Sequence, residues 1–187
     1  MRRLVPYVCG AAAAASVMVA SQEARADIIP ISVAARIGYE KFSDDKAGDF
    51  GYLPIQLDAM YNLGYGLHIG AYGSYAPAVS KPDGIDSSTL TRVGIQAHFK
   101  LSLPIIHPWV GAGTGYNHLS FKTKEVAGFS AEASDGGWEQ FNLQAGVQFA
   151  LLPILELGPY VQFERGKFGD SDAQSRWNGG LRAEVSF

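Results

Sequence analysis

Ten ionisable side chains share one feature. Arg36, Glu40, Asp58, Arg92, Lys100, Glu156, Glu164, Arg176, Arg182 and Glu184 each have an apolar residue as an immediate neighbour in the chain. Charges spaced in this way either line a narrow pore or pair with one another inside a filled one. His68 and His98 keep the same company. Two imidazoles begin a metal site, but no third ligand stands at a clear spacing, so buried hydrogen-bonding histidines are expected and no cofactor. His107 reads as a turn residue. Asp44, Asp45 and Asp49 offer carboxylates for a divalent cation, although a solvated loop is the simpler reading of KFSDDKAGDF. The single cysteine, Cys9, excludes a disulfide framework and a cysteine zinc site.

The elements that must position these groups read as strands. From Ile31 onward, period two dominates, and alternate strand side chains point to opposite faces. Ile31, Val33, Ala35, Ile37 and Tyr39 alternate with Ser32, Ala34, Arg36, Gly38 and Glu40. The pattern recurs over 53–61, 65–75, 91–101, 109–117, 140–149, 156–164 and 176–187, with no competing helical period. Eight strands are expected. The connections alternate in length. Residues 41–51, 77–88, 118–136 and 165–174 are long and charged, whereas 62–65, 102–107 and 151–154 are short and carry no Asp, Glu, Lys or Arg. This rhythm predicts an all-β, eight-stranded antiparallel up-and-down transmembrane β-barrel, with four long extracellular loops and three short periplasmic turns. The 118–136 loop, with Val126 and Phe129, is the longest and the best contact surface.

The polar face decides the orientation. It carries Gly38, Gly66, Gly70, Gly94, Gly111, Gly113, Gly115, Gly146, Gly158 and Gly180 together with many Gln and Asn. Glycine relieves crowding inside an eight-stranded barrel and only weakens a strand exposed to water. A soluble barrel with an apolar interior is the alternative. Against it, aromatics of the apolar face gather at the strand ends. Tyr39, Tyr75, Tyr116, Phe163 and Trp177 fall at the loop end, and Tyr61, Tyr65, Phe99, Phe149 and Phe187 at the turn end. They read as two interfacial girdles. Ten steps of about 3.3 Å separate Tyr65 from Tyr75, and a tilt near 40° projects them to roughly 25 Å, a hydrocarbon thickness. Pro54 and Pro159 each remove a ladder donor in either reading. At closure the first and last strands become neighbours, so an ion-pair network of Arg36, Asp58, Arg182 and Glu184 is expected to plug the lumen, because unpaired charges there are costly. A gated, narrow pore is the alternative.

Residues 1–26 read as an address. A basic Met1-Arg2-Arg3 start, a thirteen-residue apolar run from Val8 to Ala20 and Ala24-Arg25-Ala26 fit a signal peptide cleaved after Ala26. The run is too short for the roughly 20 residues of a membrane helix. The barrel domain is then 27–187, with 12 basic residues left of 15 and 17 acidic of 18. A net charge of −3 for the whole chain argues against nucleic acid as a partner.

Two stretches then carry a resemblance. Pro108-Trp109-Val110-Gly111-Ala112-Gly113-Thr114-Gly115-Tyr116 and the terminal Leu181-Arg182-Ala183-Glu184-Val185-Ser186-Phe187 resemble segments of the small eight-stranded outer-membrane proteins of Gram-negative bacteria. That group includes the OmpA transmembrane domain, OmpX/Ail and the opacity proteins. The resemblance implies the bacterial outer membrane as location and Phe187 as the signal read by the barrel-assembly machinery; unlike in full-length OmpA, no peptidoglycan-binding domain is expected after the barrel. Separately, His118-Leu119-Ser120 resembles the His-x-Ser element of outer-membrane lipid A deacylases, in which the histidine serves as base for the serine, with Glu132 as a third member. Phe121-Lys122 stand where those enzymes have Asn-Ala, so no enzyme is expected. The expected role is structural or surface-interacting. Its partners would be membrane lipid, lipopolysaccharide and a host or cell-surface ligand, met by a monomer. A narrow channel for ions or small hydrophobic compounds is the alternative, and a lipid A-modifying enzyme a remote one. Heating should shift the electrophoretic mobility of the protein extracted from membranes, and a single unshifted band would contradict the barrel.

Overall fold

The computed structural model describes residues 30–44, 48–125, 130–169 and 173–187. The expected signal peptide 1–26, Asp45, Val126 and Phe129 lie outside these residues, as does the side chain of Asp44. Nine strands follow one another: β1 (Ile31–Asp44), β2 (Gly48–Tyr52), β3 (Ile55–Gly64), β4 (Leu67–Ser80), β5 (Ile85–Lys100), β6 (Ile106–Thr123), β7 (Glu132–Leu152), β8 (Leu155–Gly166) and β9 (Gln174–Ser186). Every pairing is antiparallel: β1 pairs with β2 and β3, β2 and β3 both pair with β4, β4 to β9 pair in chain order, and β1 pairs with β9 from Ser32↔Ser186 to Lys41↔Trp177. The sheet is therefore a closed cylinder.

The ninth strand is half of an eighth. β2 and β3 keep one register against β1, since Glu40↔Tyr52 and Ile37↔Ile55 lie three residues apart on both sides. Both also pair with β4. They form one barrel strand interrupted at Leu53-Pro54, where Pro54 has no N–H to give the ladder. Bonds from Gly38 N–H to Pro54 O (3.1 Å) and from Leu53 N–H to Pro77 O (3.0 Å) hold the break in place. So residues 41–51, expected as loop, are mostly a hairpin between β1 and β2.

The same correction applies to 77–88 and 118–136. β5 and β6 stay paired from Lys100↔Trp109 up to Ile85↔Thr123, and β7 begins at Glu132. Hydrophobic alternation fails in these stretches because the outer face turns polar, while the backbone ladder continues unaffected. At the other end the turns are tight. Tyr65 belongs to one of them and not to a strand: it has φ of +53°, between Gly64 (φ +87°) and Gly66 (φ +79°).

The two faces are clean. Ile37, Leu57, Val93, Ile95, Val110, Leu143, Val161 and Leu181 are exposed outward, while Arg36, Asp58, Arg92, Gln96, Asn142, Gln144, Gln162 and Arg182 are buried inward. One bulge shifts this parity. β7 changes register between Glu139 and Phe141, which leaves Gln140 exposed and Glu139 buried. Strict alternation had placed Gln140 inside. A bulge adds a residue to one strand and turns a side chain to the other face.

Glycine spacing sets how closely the strands and inward side chains approach. At the seam, a Cβ on Gly180 would stand 2.0 Å from Ile37 O, whereas one on Gly179 would meet nothing nearer than 3.6 Å. Gly180→Ala should therefore lower the urea stability of the folded barrel by about 1–3 kcal/mol. Gly179→Ala should stay within about 0.5 kcal/mol of the wild type. Equilibrium unfolding followed by tryptophan fluorescence checks both.

Candidate functional site in the barrel lumen

The inward face solvates itself in three tiers. At the turn end, Lys100 Nζ donates to Glu156 (3.2 Å) and Glu184 (2.8 Å). His107 Nδ1 lies 2.7 Å from Glu156, and its Nε2 lies 2.8 Å from Leu103 O. His107 is thus a buried residue of β6, not a turn residue.

The middle tier holds the expected quartet. Arg36 Nε donates to Asp58 (2.7 Å), and Arg182 Nε lies 3.6 Å from the same carboxylate. Arg182 is also bonded to Glu184, which ties this tier to the one below. Amides complete it: Arg36 donates to Gln144 Oε1 (2.7 Å), Arg182 to Gln148 Oε1 (2.8 Å) and Gln56 to Asp58 (2.7 Å). Both guanidinium groups lie over the Trp109 ring, Arg36 Cζ at 5.3 Å and Arg182 Cζ at 5.0 Å from its centroid. Each such contact contributes in the way expected of a cation over an aromatic face.

The upper tier was not expected as a cluster, although its members were on the polar face. Arg92 pairs with Glu40 and with Glu164 (2.7 Å), and Arg176 pairs with Glu164 (3.0 Å) and Glu40 (3.8 Å). Tyr72 donates its hydroxyl to Glu139 at 2.6 Å. Glu139 escaped the sequence reading because of the bulge. The inward aromatics had a signal that went unused, namely the glycines facing them. Cβ atoms on Gly94 and Gly115 would fall 2.7 and 2.6 Å from Tyr72, one on Gly38 2.7 Å from Tyr160, and one on Gly146 2.6 Å from Trp109.

Above the upper tier the lumen changes character. Phe50, Tyr52, Ala76, Leu90 and Phe168 form an apolar cluster, with Ala78, Ile85 and Leu119 packed against it. Phe168, from the β8–β9 connection, lies with its ring 5.2 Å from Arg176 Cζ. A cavity of only about 10 Å³ remains among Tyr52, Leu90, Leu119, Phe168 and Arg176. The outer surface inverts at the same height. Val93 and Tyr116 are a cross-strand pair, and the next outward pairs above them are Thr91 with His118 and Thr89 with Ser120.

The remaining candidates fall as follows. His68 and His98 are direct cross-strand partners, but His98 Nε2 is engaged with Gln144 (3.1 Å) and its ring lies 4.8 Å from Trp109. Among the described residues no three His, Cys, Asp or Glu are placed to hold a metal ion. His118 and Ser120 are exposed on the outer face of β6, while Glu132 is paired with Lys122 (3.3 Å). Asp49 is paired with Lys41 (3.0 Å). Tyr39, Tyr75, Tyr116 and Trp177 are exposed at the loop end, where Phe163 is half-buried, 4.8 Å from Trp177 and 6.1 Å from Phe141. Tyr61, Phe99, Phe149 and Phe187 are exposed at the other end, and Tyr65 beyond them in its turn. Phe187 lies just past β9, its N–H bonded to Ile31 O at 3.0 Å.

The same architecture occurs in solved structures. Neisserial surface protein A (NspA) is similar with a TM-score of 0.66 at 17% identity, over 84% of this chain and 97% of that one. The fold is that of the small eight-stranded outer-membrane barrels. OprG from Pseudomonas aeruginosa (TM-score 0.56, 10% identity, 85% of this chain and 97% of that one) shares it. So does the N-terminal β-barrel domain of Pseudomonas aeruginosa OprF (0.50, 16%, 85% and 98%). No family model matches the sequence, and no curated protein matches it.

In this barrel the upper tier depends on Arg92. Arg92→Met leaves Glu40 and Glu164 short of a cation in a dry space, where breaking a buried pair costs about 3–5 kcal/mol. The unfolding midpoint in urea should fall accordingly, and a midpoint within error of the wild type would show that Arg176 alone balances both carboxylates.

Proposed function

We propose that this chain is an integral protein of the bacterial outer membrane with a structural or surface-interaction role, and that its lumen is a plug and not a conduit. The filled lumen carries this reading. Five buried cations (Arg36, Arg92, Lys100, Arg176 and Arg182) face six buried carboxylates (Glu40, Asp58, Glu139, Glu156, Glu164 and Glu184), and the apolar cluster closes the loop end above them. An ion crossing such a barrel would have to displace paired side chains on every tier.

The working surface is then the part that projects. β6 continues seven residues past Tyr116 to Thr123, about 23 Å along the strand. Its outward residues there, with those of β5 and β7, are hydroxyl, histidine and charged side chains. A host or cell-surface ligand would meet this sheet and the connections above it. The exposed aromatics at the two ends serve as interfacial girdles. The chain reaches the membrane through its N-terminal signal, is assembled by way of its terminal Phe187, and works as a monomer. No enzymatic role is proposed: Glu132, the third member considered beside His118 and Ser120, lies 3.3 Å from Lys122.

Conductance tests the plug. In planar bilayers the wild-type protein should show no steady current, and Arg182→Ala should unfold at lower temperature while remaining silent. A large rise in conductance in Arg182→Ala would make the middle tier a gate and the protein a channel.

A further inference from the structure

The outer wall of β7, β8 and β9 carries an apolar groove. Successive cross-strand rows define it. In one row Ala145, Val161 and Gly179 lie side by side, and in the row above stand Leu143, Phe163 and Trp177. Small residues below and large rings above leave an open hollow of about 390 Å³, lined by Leu143, Ala145, Val161, Phe163 and Trp177. One row higher is Arg165, paired with Ser175 across β9. Lys167 follows two residues on. Arg165 and Lys167 are exposed, and neither has a carboxylate partner among the described residues, in contrast to Lys41, which is held by Asp49. A slot for a hydrocarbon chain, an aromatic lintel and two exposed cations are thus stacked in that order toward the loop end.

We propose that this wall is a binding site for a phosphorylated, acylated glycolipid of the lipid A type. One acyl chain lies in the hollow beside Gly179 and Val161. Phe163 and Trp177 flank the glycerol-depth or sugar-depth part of the molecule, as aromatic rings do at a membrane interface. Arg165 and Lys167 hold a phosphate, Arg165 through a forked pair of N–H donors, with the Ser175 hydroxyl at the same height. Charge complementarity selects the occupant: a neutral lipid would fill the hollow but leave both cations unanswered. The site rests on the outer-membrane reading above, because that reading places this leaflet at the loop end.

Native mass spectrometry of the folded full-length barrel with lipid A, with its dephosphorylated form and with phosphatidylglycerol tests the site. The wild type should retain lipid A at least about tenfold more tightly than the dephosphorylated form, a difference of about 1.4 kcal/mol. The double variant Arg165→Gln/Lys167→Gln should erase that preference. Gly179→Leu should weaken lipid A binding by filling the hollow. Equal retention of lipid A and its dephosphorylated form overturns the proposal, as does retention of phosphatidylglycerol as tight as that of lipid A, or an unchanged preference in the double variant. Insertion into phosphatidylcholine vesicles and the heat-dependent mobility shift are read in parallel for every variant. A wild-type protein that inserts and shifts yet fails to discriminate condemns this site alone, whereas failure of the wild type to insert condemns the outer-membrane reading itself.

Discussion

A sheet in lipid must leave no edge unpaired, because hydrocarbon offers no hydrogen bond to a free N–H or C=O. Every other feature of this molecule follows from meeting that condition with only eight strands. Closing so small a cylinder leaves an interior just wide enough for side chains. The seam between β1 and β9 can close tightly because Gly38 and Gly180 face one another across it. The space inside is then divided among aromatics laid over glycines and charges that must find one another, since water is not there in bulk to serve them. At Arg36 one carboxylate, glutamine oxygens and two aromatic faces surround a single guanidinium.

The second organising fact is a change of solvent along the strand. Up to the level of Tyr116 the barrel is inside-out, greasy without and ionic within. Beyond it, hydroxyls and charges face outward and Phe50, Tyr52, Leu90 and Phe168 face inward. Each half obeys the same rule of burying apolar surface away from water. The rule simply has water on a different side. The apolar cluster therefore does two things at once. It gives the paired strands above Tyr116 a core, and it lies over the ion-paired tiers.

Strand number, closure, the orientation of the faces and the meeting of Arg36, Asp58, Arg182 and Glu184 were all legible in the sequence, because inside the hydrocarbon band period two is enforced on both faces. The reading failed where that enforcement lapses. Residues 118–123 lost their outward hydrophobic signal as soon as β6 left the band, so strand looked like loop. Glu139 and Gln140 exchanged places because a bulge depends on a local change of register that side-chain types do not announce. Phe168 is one aromatic in a glycine-containing loop, and only the fold shows it turning inward. Tyr65 looked like the first residue of a strand because tyrosine suits one; its positive φ comes from the two-residue connection it occupies.

The ion pairs also constrain how the barrel is made. Arg92 on β5 finds Glu40 on β1 and Glu164 on β8, and Lys100 on β5 finds Glu156 on β8 and Glu184 on β9. Neither hairpin that contains β5, β4–β5 or β5–β6, carries these carboxylates, whereas Arg36 meets Asp58 within β1–β3 and Arg176 meets Glu164 within β8–β9. A hairpin entering the bilayer by itself would drag bare charges through acyl chains, whereas eight strands entering as a nascent cylinder would not. Threading one piece after another is thus penalised at Arg92 and Lys100, and the route of least resistance is a concerted one in which curling up and crossing are the same event.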